Sequence, residues 1–109
     1  MADSLSYFLL SAEENEIMIQ SFADSTTKSF YEGKRIAKWQ AIAAQAMRKL
    51  YALNSARHLI DLRLPLGNRL EPLTGNRNGQ HSIRINDKWR ICFRWTENGP
   101  AEVQICDYH

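Results

Sequence analysis

Cysteine is scarce in this 109-residue chain: Cys92 and Cys106 are its only two, and they do not form a Cys-x-x-Cys pair. Neither a disulfide scaffold nor a zinc knuckle is indicated, and a reducing cytoplasm is the default compartment. Long apolar runs are missing as well. The longest uncharged one, Leu5 to Leu10, falls far short of the roughly 18 residues a bilayer span requires, so no membrane association is expected. No basic stretch precedes that run, since the first charge is Asp3, which speaks against a secretory leader. Internal repeats and low-complexity tracts are absent, and the length suits one domain with one core but not two. His58, His81 and His109 lack paired carboxylates at ligand spacing and define no metal constellation.

Basic residues begin only at Lys28, whereas four acids, Asp3, Glu13, Glu14 and Glu16, precede Met18. Residues 18–109 hold fourteen basic against eight acidic side chains, a formal charge of +6. That balance suits a polyanionic partner, and also an ordinary solvated surface. Residues 1–17 read as an N-terminal extension, an apolar patch followed by an acidic run, and residues 18–109 as the domain. The extension is either an appendage from an upstream start or an arm that docks on the domain or on a partner chain.

Within the domain, Ile19 to Phe22 alternates like a short strand, and Asp24 or Ser25 can N-cap a helix that runs through Tyr31 and ends at Gly33. Trp39, Ile42, Ala43, Ala46, Leu50 and Leu53 recur at three- and four-residue steps, the stripe of an amphipathic helix packed on something flat. A short helical turn fits Ala56 to Leu62, before Pro65 and Gly67 break the pattern. The period then changes to strands: Asn68 to Leu73, Gln80 to Ile85, Lys88 to Thr96 and Ala101 to Tyr108. Asn86-Asp87 and Asn98-Gly99 separate successive runs and tolerate the positive φ of tight hairpin turns. The expectation is an α+β fold with an N-terminal strand and two helices packed on one face of a mostly antiparallel sheet.

Alternation sorts Trp89, Ile91, Phe93 and Trp95 onto a core face and Arg90, Cys92 and Arg94 onto the other. Two guanidinium groups roughly 7 Å apart can hold a phosphate, or can be the solvated side of an amphipathic strand. The chain closes on Asp107, Tyr108 and His109, which together supply proton acceptors and donors and a ring on which a base can stack. In the segment from Leu70 to Ile85, which joins a strand to a hairpin, Gly75 and Gly79 let backbone approach a ligand closely, or form an ordinary turn, and Arg77 and His81 are brought toward the strand that bears Arg84.

These residues resemble a known family. Leu73 to Trp95, with its Trp89-Arg90-Ile91, the closing Asp107-Tyr108-His109 and the opening Met18 to Phe22 are similar to the HigB-type killer toxins of plasmid-maintenance toxin–antitoxin modules, within the RelE/ParE superfamily. The similarity spans Met18 to His109. It implies a RelE-like fold and a ribosome-dependent endoribonuclease that cleaves mRNA in the ribosomal A site without a metal or other cofactor. By the same resemblance Arg90, Asp107, Tyr108 and His109 are the catalytic residues; from their placement on the strands and the loop, Arg77, Arg84, Arg94 and His81 are the expected RNA-binding residues. Relatives often carry a histidine and a lysine in the loop before the glycine, where this chain has Glu71 and Thr74. Either one of Arg77, Arg84 and Arg94 supplies the missing cation, or activity is weaker.

Metal-free RNA cleavage requires a base for the 2′-hydroxyl proton, a cation for the charge on the phosphate and an acid for the leaving 5′-oxygen. Arg90 is the candidate for the phosphate, since a guanidinium stays charged and can bond two oxygens at once. His109 and Asp107 are candidates for the proton transfers, in either order. The alternative is a non-cleaving, ParE-like toxin that poisons DNA gyrase by binding. The partners the resemblance implies are a helix-turn-helix, HigA-like antitoxin, the ribosome and mRNA. Operator DNA is expected to be bound only through the antitoxin complex.

Overall fold

A computed structural model describes residues 17–107. Helix α1, Ser25–Tyr31, is capped as its sequence dictates: Asp24 Oδ1 accepts from the Thr27 backbone N–H at 2.6 Å, and Gly33 follows at φ 106°. A 3₁₀ turn, Ala37–Ile42, leads into α2, Ala43–Ser55. The expected stripe is the buried one, with Trp39, Ile42, Ala46, Leu50 and Leu53 all in the core. Trp39 anchors it, meeting Phe30 and Trp89 edge-on at ring-centroid distances of 5.4 and 6.1 Å.

The sheet has four antiparallel strands in chain order: β1 Glu71–Pro72, β2 His81–Arg84, β3 Trp89–Thr96 and β4 Gly99–Asp107. Ile83, Ile91, Phe93, Val103 and Ile105 line the face that α1 and α2 cover. Thr27, buried in α1, joins the two layers by accepting from the Ile105 N–H at 3.1 Å. The segment expected as an N-terminal strand runs beside β4 in parallel. Gln20 N donates to Pro100 O at 2.8 Å and Ala23 N to Val103 O at 2.9 Å, with a bridge at Phe22–Val103.

Three local expectations differ from what is observed. The strand expected from Asn68 shrinks to two residues, because Asn68 is buried and donates to the Leu62 and Leu64 carbonyls while Arg69 turns left-handed at φ 45°. The turn at Asn86-Asp87 needs no positive φ: Asn86 Oδ1 accepts from the backbone N–H groups of Lys88 and Trp89 at 2.9 and 2.8 Å. The third is a β-bulge. Arg94 pairs with Ala101 but Cys92 with Gln104, so β4 spends Glu102 and Val103 opposite Phe93 alone, with Glu102 at φ 53°.

Candidate functional site

That bulge decides which side chains meet on the face away from the helices. Past it, Cys106 pairs with Arg90 and Gln104 with Cys92, so polar and thiol groups of β4 join the Arg90 side of β3 while Val103 and Ile105 enter the core. The result is a cavity of about 220 Å³, walled by Arg90 and Cys92 from β3, Cys106 and Asp107 from β4, and Thr74 and Arg77 from the loop after β1.

Arg90 is 4% exposed and firmly held. Its Nε donates to Ser82 Oγ at 2.7 Å, and Nη2 donates to the Arg69 carbonyl at 2.8 Å and lies 3.5 Å from Glu71 Oε1. The left-handed turn at Arg69 is what aims that carbonyl inward. Arg77 reaches across the cavity wall, donating to Gln80 Oε1 and Gln104 Oε1, both at 3.1 Å. Asp107 stands half-exposed at the rim, with Lys88 Nζ 4.0 Å from its carboxylate. Two guanidinium groups beside one opening make the local field positive, offset in part by the carboxylates of Glu71 and Asp107. Among the described residues no cluster of three or more His, Cys, Asp or Glu could hold a metal ion, and no helix is long and apolar enough to cross a membrane.

The structure thus brings Arg77, Arg90 and Asp107 to one cavity. Tyr108 and His109 lie outside the described residues. The other expected RNA-binding residues are placed elsewhere. Arg84 pairs with Asp87 and lines a second cavity with Arg48 and Lys49. Arg94 binds Glu102 at 2.7 Å and passes over Gly79, where a Cβ would come within 2.5 Å of its Nη1. Gly79 therefore makes room for a side chain of the protein itself. The ring of His81 stacks on Phe93 at 6.3 Å, on the helix-covered face, and its Nδ1 is buried without a hydrogen-bond partner. Of the three arginines expected to supply the missing cation, Arg77 is the one in the cavity wall.

Sequence reasoning noted Glu71 as a departure from its relatives but not as the carboxylate beside Arg90, and it missed Ser82 entirely. Pairing of β2 with β3 was the available signal for Ser82, since it stands opposite Cys92 in that ladder. Cys92 and Cys106 stand diagonally across the β3–β4 ladder, and the Cys106 Sγ donates to the Gln104 carbonyl at 3.6 Å. Its neighbour Cys106 lowers the Cys92 thiol to about 7, against burial, with Arg77 and Arg90 adding to the effect. Cys106 is pushed up, first by Cys92 and then by burial.

Fold and cavity define a class: a small α+β domain with an arginine-lined cavity on the sheet face away from the helices. Comparison with known proteins gives the class its family. The model of the HigB-like toxins, RelE-like toxins of type II toxin–antitoxin systems, matches residues 20–109, and the chain belongs to that family. It is 38% identical over 94 residues to Toxin HigB-1 of Vibrio cholerae serotype O1 (strain ATCC 39315 / El Tor Inaba N16961), covering 84% of this chain and 98% of that protein. Its fold is also that of a chain in the YoeB–YefM complex from Staphylococcus aureus, at TM-score 0.52 and 20% identity, over 85% of this chain and 97% of that one. A heterotetrameric YoeB–YefM toxin–antitoxin complex from the same organism aligns at TM-score 0.50 and 18% identity, with the same coverage.

Proposed function

We propose that this toxin is a ribosome-dependent endoribonuclease that cleaves mRNA by metal-free attack of a 2′-hydroxyl on the adjacent phosphate. The observation that carries the reading is the pre-positioned Arg90: a guanidinium held by Ser82, the Arg69 carbonyl and Glu71 in the wall of a cavity that Arg77 and Asp107 share. A cation fixed before the substrate arrives stabilises charge as it builds on the phosphate oxygens without reorganising. Asp107 is at the rim, and Tyr108 and His109 are the next two residues of the sequence. In this mechanism one of His109 and Asp107 takes the 2′-hydroxyl proton and the other protonates the departing 5′-oxygen. The 2′-oxygen bonds to phosphorus, the P–O5′ bond breaks, and the products are a 2′,3′-cyclic phosphate and a 5′-hydroxyl. Tyr108 stacks on a base. Need for the 2′-hydroxyl makes the substrate RNA rather than DNA.

Arg77 binds the flanking backbone from inside the cavity, and Arg84, with Arg48 and Lys49, and Arg94 bind it from the periphery. A helix-turn-helix antitoxin is the cognate partner, and the toxin reaches operator DNA only through it, in the cytoplasm. Residues 18–109 are the toxin domain in this reading. The alternative, a gyrase poison that binds without cutting, predicts no RNA chemistry at all.

Primer extension on a translated message in cells expressing the chain distinguishes the two. New 5′ ends within the message, lost with His109→Ala and with Arg90→Gln, are expected. Absence of such ends together with collapse of plasmid supercoiling would overturn the nuclease reading.

A further inference from the structure

We infer that Cys92 and Cys106 are a peroxide-sensitive thiol pair, Cys92 reacting and Cys106 resolving, built into the wall of the cationic cavity. Neither thiol has a part in the proposed cleavage, yet the β4 bulge is what brings them to one wall: without that extra residue, Cys106 would face the core. Three features of the placement fit redox chemistry. Both side chains line a cavity of about 220 Å³, several times the volume of one water, which admits a hydrogen peroxide molecule. Arg77 and Arg90 line the same cavity, and adjacent guanidinium groups favour a thiolate. The pair sits diagonally across two adjacent strands, Cys92 at the near edge of the bulge and Cys106 opposite Arg90, so that the roughly 2.05 Å of a sulfur–sulfur bond would tie neighbouring rungs of one ladder.

The thiols are also unequal. Cys92 is lowered toward neutrality beside Cys106 and the two guanidinium groups, whereas Cys106 is pushed up. In the first step the Cys92 thiolate attacks one peroxide oxygen, the O–O bond breaks, hydroxide leaves and Cys92 becomes a sulfenic acid. In the second, the Cys106 sulfur attacks the sulfenic sulfur, forming the disulfide while the sulfenic oxygen leaves as water with the Cys106 proton. Two thiols and one peroxide thus give one disulfide and two waters, peroxide being the two-electron oxidant. A covalent tie at this position fixes β3 to β4 beneath Arg90, so oxidation alters the cavity. That consequence for cleavage rests on the proposed function, whereas the thiol chemistry does not.

The test is chemical. The purified full-length chain is treated with hydrogen peroxide at neutral pH and read by intact mass and non-reducing peptide mapping. Wild type is expected to lose two hydrogens, with the Cys92 and Cys106 peptides joined within one chain. Cys106→Ser is expected to stop at a sulfenic acid on Cys92 that dimedone captures. Cys92→Ser, or Cys92→Ala if the serine variant fails to fold, is expected to slow oxidation of Cys106 by at least about tenfold. Two thiols that remain fully alkylatable, a disulfide only between chains, or Cys106 oxidised as fast without Cys92 as with it would each overturn the proposal. Ribosome-dependent cleavage by reduced and oxidised protein then reads the functional consequence separately. No cleavage by the reduced protein would count against the nuclease reading and leave the mass result standing.

Discussion

Arg90 gives up most of its hydration to lie where it does, and only hydrogen bonds and an opposite charge replace what is lost. Ser82 Oγ, two carbonyls and Glu71 are among the groups that supply them. The positions are therefore geometric as much as electrostatic, which separates two substitutions. Arg90→Lys keeps the charge and loses the planar fork, and is expected to lower cleavage about 10- to 100-fold, the equivalent of one charge-assisted hydrogen bond. Arg90→Ala leaves Ser82 and Glu71 facing an empty site and is expected to cost about 3 kcal/mol of stability as well. Cleavage assays beside thermal melts of both variants check this, and a lysine variant with undiminished cleavage would refute the bidentate role. The face that Arg90 occupies was legible from the alternation of Trp89 to Trp95, because a strand's period fixes sides without reference to anything else. Its partner Glu71 was not, since their meeting depends on a 19-residue excursion through β1, a loop and β2 that no local pattern encodes.

Among the elements, β4 carries a conflict between register and side-chain pattern that Glu102 resolves. A strand without a bulge would pair Arg90 with Ile105 and put Val103 and Ile105 on the cationic face. One extra residue reverses that for everything C-terminal to it. Glu102 takes the left-handed conformation at φ 53°, which costs a residue with a Cβ roughly 1 kcal/mol, and offsets part of it by binding Arg94 and by donating its N–H to Ser21 Oγ at 2.9 Å. Because an exposed ion pair contributes little, Glu102→Gly is expected to leave stability unchanged or raise it by up to about 1 kcal/mol. Glu102→Val is expected to lower it by 1 kcal/mol or more, about, since a β-branched side chain tolerates φ > 0 least. Chemical denaturation of the two variants checks the sign. In α1 the cap predicts a simpler loss: Asp24→Ala removes the acceptor for the Thr27 N–H and should cost about 1 kcal/mol by the same measurement. Both helices were readable because capping and 3.6-residue periodicity are local. The bulge was not, because Glu102 has no residue-type signature; a glycine there would have announced it.

At the scale of the whole molecule the charge is uneven, and the second cavity shows its cost. Lys49 titrates below its ordinary 10.5, first because it is partly buried and then because Arg48 and Arg84 repel its charge. The sign follows from proton counts. Between the lowered folded value and 10.5 the unfolded chain binds more protons than the folded one, so this site favours folding increasingly as pH rises through that window. At neutral pH, below the window, the ammonium is held charged at a free-energy cost that an anion relieves. A single-stranded RNA oligonucleotide spanning this cavity and the one beside Arg90 is therefore expected to raise the melting temperature at neutral pH and low salt. Its affinity should fall with salt, each cation–phosphate contact contributing about 0.7 to the slope of log affinity against log salt. Arg48→Gln should lessen that slope by about one such contact, because a side chain that only repels its neighbours is lost without cost to the fold, whereas one that meets a phosphate is lost from the count of released ions. Exposed Ile60, on the 3₁₀ turn Leu59–Arg63 and outside both cavities, serves as the control: Ile60→Ser should leave the slope where it was. Melting curves and binding titrations across a salt series read both effects, and a salt-independent affinity would mean that the basic excess of residues 18–109 is solvated surface and not a binding face.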